Sequence, residues 1–249
     1  MPKLRLATTR PGDPEIFRSI QGEGASAGAP CAFIRLSDCN LACRWCDTAY
    51  TWNFSGANAA DTNPHRSGET FERRDNQLQM DAVRAANRIA NLGQSRLVIT
   101  GGEPLLQPAA LVALIEALPA MRIEVETNGS IAPGAALDAR IDQYNVSPKL
   151  AHSGNAAADA LKPELLDRWA TDPRAWFKFV IAAPGDIDEV LALKQRHGMI
   201  ADRIFLMPEG TDSATLRERA SWLTGACLDH GFRFSDRLHI HLYGDRRGT

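Results

Sequence analysis

The sequence lacks the features that mark membrane proteins and nucleic-acid binders. No apolar run approaches the roughly 20 residues that a membrane-spanning helix needs, and the segment Met1–Arg5 has no apolar core of a signal peptide. The net charge is only −2, with both signs interspersed, which excludes a basic nucleic-acid footprint and a polybasic membrane patch. We therefore expect a cytoplasmic protein whose partners include neither nucleic acid nor membrane.

Cysteines are also scarce, five in 249 residues. An odd number in a chain without an export signal argues for reduced thiols and against a framework of disulfides. Cys31 and Cys227 stand alone, and we interpret them as packing residues. Cys39, Cys43 and Cys46 follow one another in the pattern C-x3-C-x2-C, which is the most informative feature of the chain.

Three thiolates at this spacing indicate a metal site. Thiolates are soft ligands that suit iron–sulfur clusters, zinc and copper(I). Three of them cannot complete a four-thiolate site, so a [4Fe–4S] cube held by all three would leave one iron open to a small molecule. Two alternatives remain at this point: buried cysteines without a ligand, which are common in protein cores, and a zinc site completed by a histidine.

Short apolar runs that favour strands alternate with helical patterns along most of the chain. This alternation predicts repeated βα units and a parallel sheet. Six such steps in a chain of 249 residues predict a single domain, residues 1–249, with an incomplete (β/α)6 TIM-like barrel. The predicted strands are Cys31–Leu36, Arg96–Thr100, Arg122–Thr127, Gln143–Val146, Trp176–Ile181 and Arg203–Met207, and the predicted helices are 81–92, 109–118, 187–197 and 214–230.

Two segments depart from this rhythm. Asn53–Gln79 is polar and poor in apolar residues, so we predict a surface excursion or lid. Arg237–Leu242 reads as a last extended piece. His239 and His241 alternate on one face of that piece, where they either contact a ligand or are half-buried strand residues.

Polar motifs follow three of the predicted strands at their carboxyl ends, where parallel α/β folds place their ligands. Gly101–Pro104, with the sequence Gly-Gly-Glu-Pro, follows the second strand. Glu126–Gly129 ends the third, and Ser147–Lys149 follows the fourth. Each motif alone is compatible with an ordinary turn. Their shared placement on one rim favours ligand contacts.

With these motifs in hand, the sequence resembles the radical S-adenosylmethionine (SAM) superfamily and, within it, the 7-carboxy-7-deazaguanine synthase family. The cysteine spacing alone would indicate only the superfamily. The narrower likeness rests on Glu15–Gly24, Gly28, Phe33–Leu36 and Cys46–Thr48, followed in the same order by the three rim motifs. It spans nearly the whole chain and is weakest over 53–79 and 150–173.

The resemblance implies a ring contraction. Members of the family convert 6-carboxy-5,6,7,8-tetrahydropterin into 7-carboxy-7-deazaguanine with loss of ammonia, on the route to deazapurines such as queuosine. Their reduced cluster cleaves SAM, and the 5′-deoxyadenosyl radical takes a hydrogen from C6 of the pterin, after which SAM is regenerated. The cofactors carry the hard chemistry and the protein positions and shields the radical. The resemblance also implies a requirement for Mg²⁺, a homodimer and a flavodoxin-type electron donor.

The resemblance further assigns residues to each ligand. Cys39, Cys43 and Cys46 match the cluster ligands. Thr48 matches a Mg²⁺ ligand, which is physically admissible because Mg²⁺ keeps several waters; the alternative is a hydroxyl that caps a turn. Positions that match SAM contacts are Trp45, Asp47, Gly102, Glu103, Glu126, Ser147, Pro148, Lys149, Met207, Pro208, Glu209 and Gly210. Positions that match substrate contacts are Ile20, Gln21, Gly22, Glu23, Arg35, Thr100 and Thr249.

Several of these assignments carry a chemical role. Arg35 would salt-bridge the substrate carboxylate through a planar fork of two donors, unless it is a strand arginine directed to solvent. Glu23 would pair with the guanidine-like edge of the pterin, and Glu103 would accept the SAM amine. Trp45 would pack near the adenine. Thr249 would be the counterpart of a terminal carboxylate that touches the substrate in some relatives.

The sequence departs from the family pattern in two places, and it also allows two competing functions. Met207 stands where many relatives carry a glutamine, so a side-chain hydrogen bond is lost there. The tail resembles the branch of the family that ends in Gly-Asn-Lys-Arg-Gly. A glycyl-radical activating enzyme shares the cysteine spacing but does not account for Gln21–Gly24. A non-catalytic zinc-binding module would use the three cysteines and a histidine.

Overall fold

The computed structural model describes residues 2–54, 63–65 and 68–249. Within them, one sheet holds all the named strands, in the order β11-β10-β9-β8-β7-β6-β4-β1-β2, with β3 paired to β4 and β5 paired to β1. The strands are β1 Lys3–Arg10, β2 Asp13–Pro14, β3 Ile16–Ile20, β4 Pro30–Leu36, β5 Gln77–Asp81, β6 Arg96–Gly101, β7 Arg122–Thr127, β8 Gln143–Val146, β9 Ala175–Ile181, β10 Ile204–Pro208 and β11 Arg233–Phe234.

The helices follow most of the parallel strands. They are α1 Arg73–Asn76, α2 Ala82–Ala90, α3 Pro108–Glu116, α4 Ala135–Asp138, α5 Ala157–Ala160, α6 Pro163–Thr171, α7 Asp186–His197, α8 Ser213–His230 and α9 Leu238–Tyr243. Among the described residues, none of these helices has the length and apolar character needed to cross a membrane.

The parallel part of the sheet confirms the predicted incomplete barrel. Strand β4 pairs with β6, and β6 to β10 then pair in sequence order, all parallel. The path ends at β11 on one side and continues on the other into the antiparallel strands β1 and β2. The sheet therefore stays open, because no pairing joins its two edges within the described residues.

The two faces of the parallel strands differ in chemistry, since successive side chains point to opposite faces. On one face, apolar residues such as Ile34, Ile99 and Val125 are fully buried and share one core with the helices. The neighbouring positions on the other face carry polar or charged side chains that border a cavity. They are Arg35 on β4, Thr100 on β6, Glu126 on β7, Asn145 on β8 and Lys178 on β9.

The N-terminal strands were not predicted from the sequence. β3 pairs antiparallel with β4 and delivers Ile20 to the cavity. β5 pairs antiparallel with β1, so the last residues of the predicted excursion over Asn53–Gln79 belong to the sheet. Residues 55–62 and 66–67 of that excursion lie outside the described residues.

The prediction of an extended piece at Arg237–Leu242 is wrong, because α9 occupies it. Its alternating Leu and His residues mimic a strand with one buried face, yet Leu242 is 53% exposed and only Ile240 is buried in the helix. At 3.6 residues per turn, residues two apart point in different directions. Accordingly, His239 borders the cavity, whereas His241 bonds Ser213 and Asp236 away from it.

Candidate active site

One cavity gathers nearly all of the predicted site residues. Its lining includes the three clustered cysteines, Thr48 and the substrate positions Ile20, Gln21, Gly22, Glu23, Arg35, Thr100 and Thr249. It also includes ten of the twelve predicted SAM positions, namely Trp45, Asp47, Gly102, Glu126, Ser147, Lys149, Met207, Pro208, Glu209 and Gly210. The lining therefore joins the two predicted groups of ligand contacts in a single space.

Pro148 and Glu103 are the two exceptions. Glu103 is fully buried, and its carboxylate accepts hydrogen bonds from Leu105 N, Thr127 Oγ1 and Asn128 N at 2.8 to 3.0 Å. Burial raises the pKa of Glu103 above its ordinary value, although these hydrogen bonds act to lower it. In this structure Glu103 shapes the turn after β7 and does not reach the cavity surface.

The cysteine loop, residues 39–46, follows β4 and lies against the turn after β6. Gly102 makes this approach feasible, because a Cβ at that position would come within 2.1 Å of Asp38 O and 3.1 Å of Cys39 Cβ. Asp38, just before the loop, has a φ of 74°, the only positive φ of a non-glycine residue in the described part of the chain. Strain of this kind is typical of functional turns.

The loop suits thiolate ligation of a cluster. Each sulfur accepts an N–H hydrogen bond: Cys39 from Leu41 N at 3.5 Å, Cys43 from Asn155 Nδ2 at 3.2 Å and Cys46 from Trp52 Nε1 at 3.3 Å. Burial raises the pKa of the Cys39 thiol to about 12 and, together with Asp47, that of Cys46 to about 11. Binding of a cluster must therefore release protons from this loop.

The donor set is compatible with a four-iron cube. No group of three or more His, Cys, Asp or Glu side chains in the described segments is gathered closely enough for one metal ion. A cube would not require such a group, because Cys39, Cys43 and Cys46 would each hold it through a separate iron atom. The three sulfurs and their donors are consistent with that arrangement.

The segment after β8 holds the cysteine loop from the other side. Asn155 Oδ1 accepts from Ala42 N at 2.9 Å, and Ser153 O accepts from Arg44 N at 2.9 Å. The indole of Trp45 stacks on His152 with ring centroids 5.5 Å apart. These contacts fix the residues on either side of Cys43.

Gln21 is buried at the edge of the cavity, and hydrogen bonds fix the orientation of its amide. Nε2 donates to Glu124 Oε1 and Glu126 Oε1, each at 3.1 Å, and Oε1 accepts from Glu23 N. Thr100 Oγ1 donates to the other oxygen of Glu126 at 2.8 Å. Glu126, predicted as a SAM contact, thus lies with two predicted substrate residues.

Arg35 borders the cavity and is not directed to bulk solvent. Its Nε donates to Glu15 Oε1 at 2.9 Å, and Glu15, which is fully buried, also accepts from Tyr50 Oη at 3.0 Å. Burial alone would lower the pKa of Arg35, but Glu15 and Tyr50 raise it above its ordinary value. The guanidinium is therefore charged, and Glu15 fixes one edge of its fork.

Thr48 lies next to Cys46 and makes no turn-capping hydrogen bond with its side chain. Its hydroxyl is 3.6 Å from Cys46 Sγ, and it borders the cavity beside Arg35 and Thr249. The capping alternative for Thr48 is therefore not supported by the geometry. Thr249 reaches this place because Gly248 N approaches Glu15 Oε1 and Arg247 lies 3.6 Å above the Tyr50 ring.

Sequence reasoning missed a buried group of ions at the cavity. Glu23 pairs with Lys178 through one oxygen and with Arg237 through the other, and Arg237 also pairs with Asp47. Burial raises the pKa of Glu23, but Lys178 and Arg237 hold it well below its ordinary value. A lysine inside the apolar run Trp176–Ile181 was the available signal for Lys178, whereas Arg237 had none.

Comparison with known proteins agrees with this geometry. The Radical SAM superfamily model matches residues 34–213. The chain is 35% identical to the 7-carboxy-7-deazaguanine synthase of Pyrobaculum aerophilum, covering 97% of this chain and 99% of that one. It is 34% identical to the enzyme of the same name from Halobacterium salinarum, covering 94% and 91%.

The fold has a solved counterpart as well. The crystal structure of QueE from Escherichia coli superposes with a TM-score of 0.64 over 95% of each chain, at 23% sequence identity. That likeness concerns the fold, whereas the sequence relatives carry the assignment to a family. On these matches, the chain belongs to the 7-carboxy-7-deazaguanine synthase family of the Radical SAM superfamily.

Proposed function

We propose that this protein converts 6-carboxy-5,6,7,8-tetrahydropterin into 7-carboxy-7-deazaguanine with loss of ammonia, as a carbon–nitrogen lyase of deazapurine biosynthesis. The observation that carries the proposal is the single cavity shared by the cysteine loop, Arg35 and the Gln21–Glu126 pair. A radical generated at one end of such a cavity can act on a small carboxylated ring held at the other. Family membership supports the same reaction.

The cavity divides into two ends. At the cysteine end, Trp45 lies on His152 and below the Lys149 ammonium, 5.4 Å from its ring. We assign SAM to this end, with Ser147, Lys149 and the turn Met207–Gly210 beside it. A bound [4Fe–4S] cluster would be held by Cys39, Cys43 and Cys46 and would supply the electron that cleaves SAM.

We assign the pterin to the end formed by Gln21, Thr100 and Glu126. Both oxygens of Glu126 already accept hydrogen bonds from the other two residues, and their remaining lone pairs suit the amino and N–H edge of a pterin. We therefore propose that Glu126 contacts the substrate and not SAM, the ligand that the resemblance had implied. Both oxygens of Glu23 form ion pairs, one with Lys178 and one with Arg237. We therefore propose that Glu23 positions these two cations and does not bind the substrate.

Arg35 and Thr48 form the carboxylate end of the substrate site. The Nε edge of Arg35 is used by Glu15, which leaves its terminal nitrogens for a carboxylate in the cavity. Thr48 offers a hydroxyl with no protein oxygen as partner in the described contacts, as a site for Mg²⁺ would require. One protein ligand is sufficient because Mg²⁺ retains water and binds substrate oxygens.

Assembly and electron supply are proposed from the resemblance. We expect a cytoplasmic homodimer that receives electrons from a flavodoxin-type protein. Sedimentation of the purified protein checks the dimer, and anaerobic reduction of the cluster by flavodoxin checks the donor.

The proposal is tested with anaerobically purified protein. Iron, sulfide and zinc are quantified, and the protein is incubated with the carboxytetrahydropterin, SAM, Mg²⁺ and dithionite. We expect a four-iron cluster and consumption of the pterin that requires every component. One zinc per chain, or SAM cleavage that leaves the pterin unchanged, would contradict the proposal; the latter result would favour an enzyme that acts on a protein partner.

A further inference from the structure

Two side chains outside the predicted site donate hydrogen bonds to cluster-binding cysteines. Asn155, between β8 and α5, donates from Nδ2 to Cys43 Sγ at 3.2 Å. Trp52, just past the cysteine loop, donates from Nε1 to Cys46 Sγ at 3.3 Å. Neither residue was among the residues predicted to bind the cluster, SAM or substrate.

The direction of both hydrogen bonds is fixed by chemistry. The indole Nε1 of Trp52 is a donor only. The Asn155 amide is oriented by its own partners, because Oδ1 accepts from Ala42 N at 2.9 Å and Nδ2 donates also to Ser153 Oγ at 3.1 Å. Reversing the amide would place its oxygen against the sulfur and its NH₂ against a backbone N–H. The sulfurs are therefore the acceptors.

Donors of this kind act on the electron affinity of a cluster. Reduction adds negative charge that spreads onto the ligating sulfurs, and a hydrogen bond to a sulfur stabilises that charge. The reduction potential of an iron–sulfur cluster accordingly depends on the hydrogen bonds to its sulfurs and on burial. Cys43 is buried and Cys46 is half-buried in this structure, and shielding from water strengthens the effect of a donor.

We propose that Asn155 and Trp52 are positioning residues that raise the reduction potential of the cluster by donating hydrogen bonds to Cys43 and Cys46. They act through the cysteines: Asn155 is not part of the cavity lining, and Trp52, which borders the cavity, acts in this role only through its bond to Cys46. The inference rests on the cluster of the proposed function but not on the identity of the substrate. With the two hydrogen bonds, the cluster is easier to reduce. A biological electron donor then reduces a larger fraction of it than of the same cluster without these bonds.

Trp52→Phe is the cleanest test, because it removes the N–H and retains the apolar ring that packs with Ala49 and Phe71. The midpoint potential of the reconstituted cluster is measured by anaerobic redox titration with electron paramagnetic resonance, in the absence of SAM and substrate. We expect a more negative midpoint. Loss of one net hydrogen bond should lower the ratio of reduced to oxidised cluster at a fixed potential about tenfold, which is about 59 mV for one electron.

Asn155→Asp removes the second donor while keeping an oxygen for Ala42 N. It also adds a negative charge beside the cluster, so its midpoint should fall further than that of Trp52→Phe. The matched control is Trp222→Phe. Trp222, on α8, packs against the core and is not part of the cavity lining, so the loss of its indole N–H should leave the midpoint equal to that of the parent.

Equal midpoints in the parent and Trp52→Phe would overturn the inference, and so would loss of the cluster from that variant, since Trp52 would then hold the loop and not tune the potential. A shift of the same size in Trp222→Phe would also overturn it, because the effect would not depend on a bond to sulfur. The midpoint is read without substrate. An inactive pterin assay therefore contradicts only the proposed function, whereas an unchanged midpoint contradicts only this inference.

Discussion

Gly22 lies directly against His239. A Cβ placed on Gly22 would come within 2.2 Å of the imidazole Nδ1, and Gly22 O accepts from Leu238 N at 3.0 Å. The absence of a side chain at Gly22 therefore allows α9 to dock on the segment that carries Gln21 and Glu23. Because His239 and Glu23 both border the cavity, this contact shapes the end of the cavity that we propose for the substrate.

We predict that Gly22→Ala displaces α9 and weakens substrate binding. The backbone of Gly22 does not need a positive φ, so the loss comes from the clash with His239 and not from strain. Substrate affinity, measured as KM with cluster content as reference, should fall at least several-fold. Gly225→Ala is the control, since nothing lies within 4 Å of a Cβ there. Unchanged KM in Gly22→Ala would show that α9 adjusts without effect on the site.

Thr48 should determine the response to Mg²⁺. In Thr48→Ala the ion loses its protein ligand, so activity should become less dependent on Mg²⁺, while SAM binding and the free energy of unfolding stay near those of the parent. Thr48→Ser keeps the hydroxyl and should retain much of the response. The measurement is activity across a Mg²⁺ titration. Equal stimulation of the Ala variant and the parent would contradict the assignment of Thr48.

Arg35 should recognise the substrate carboxylate through its fork. Arg35→Lys keeps the charge but loses the two-pronged geometry, and Arg35→Ala should lower substrate affinity roughly tenfold or more, since a hydrogen bond to a charged group contributes about 1.5–3 kcal/mol. SAM binding and cluster content should not change in either variant. The measurement is substrate affinity by equilibrium binding.

The Arg35→Ala variant also leaves the buried Glu15 carboxylate without its cation. Combining Arg35→Ala with Glu15→Gln removes that charge and separates a loss of stability from a loss of recognition. Arg18→Ala, at an exposed position of β3, controls for the removal of an arginine in general. Parental affinity in the double variant would mean that Arg35 does not bind the substrate.

Arg237 should be important for stability as well as for the site. It is 8% exposed and joins Glu23 to Asp47, so Arg237→Met leaves the nearly buried carboxylate of Glu23 and the half-buried carboxylate of Asp47 with less compensation. Breaking a buried ion pair by removing one partner typically costs about 3–5 kcal/mol. Denaturant unfolding measures this loss. Arg233→Ala, which breaks the exposed pair with Asp202, should change stability by less than about 1 kcal/mol.

The parallel sheet was predictable because it depends on local patterns. Runs such as Arg96–Thr100 are apolar and β-branched enough to specify strands, and their order in the sequence is their order in the sheet. Polar motifs at their ends then had to meet on one rim. The part of the cavity lining that follows the parallel strands, from Gly102 to Met207, was thus predictable from topology. Gln21 follows the antiparallel strand β3, and only the resemblance to the family placed it at the site.

The features that sequence reasoning missed depend on contacts between distant segments. The helix α9 was predicted as a strand because its apolar residues alternate with histidines. Six residues are too few to distinguish the period of a helix from that of a strand. The partners of Arg237 lie more than 180 residues away in the chain, at Glu23 and Asp47. Glu103 looked like a ligand contact, but only its burial and its three protein donors reveal that it lies behind the cavity surface.

The mass of the pterin-derived product tests the central claim most directly. Anaerobic protein with a reconstituted cluster is incubated with 6-carboxy-5,6,7,8-tetrahydropterin, SAM, Mg²⁺ and dithionite, and the products are analysed by mass spectrometry. The account predicts a product with the mass of 7-carboxy-7-deazaguanine, lighter than the substrate by one ammonia, and none with Cys43→Ala. Unchanged pterin beside an intact, reducible cluster that cleaves SAM would contradict it.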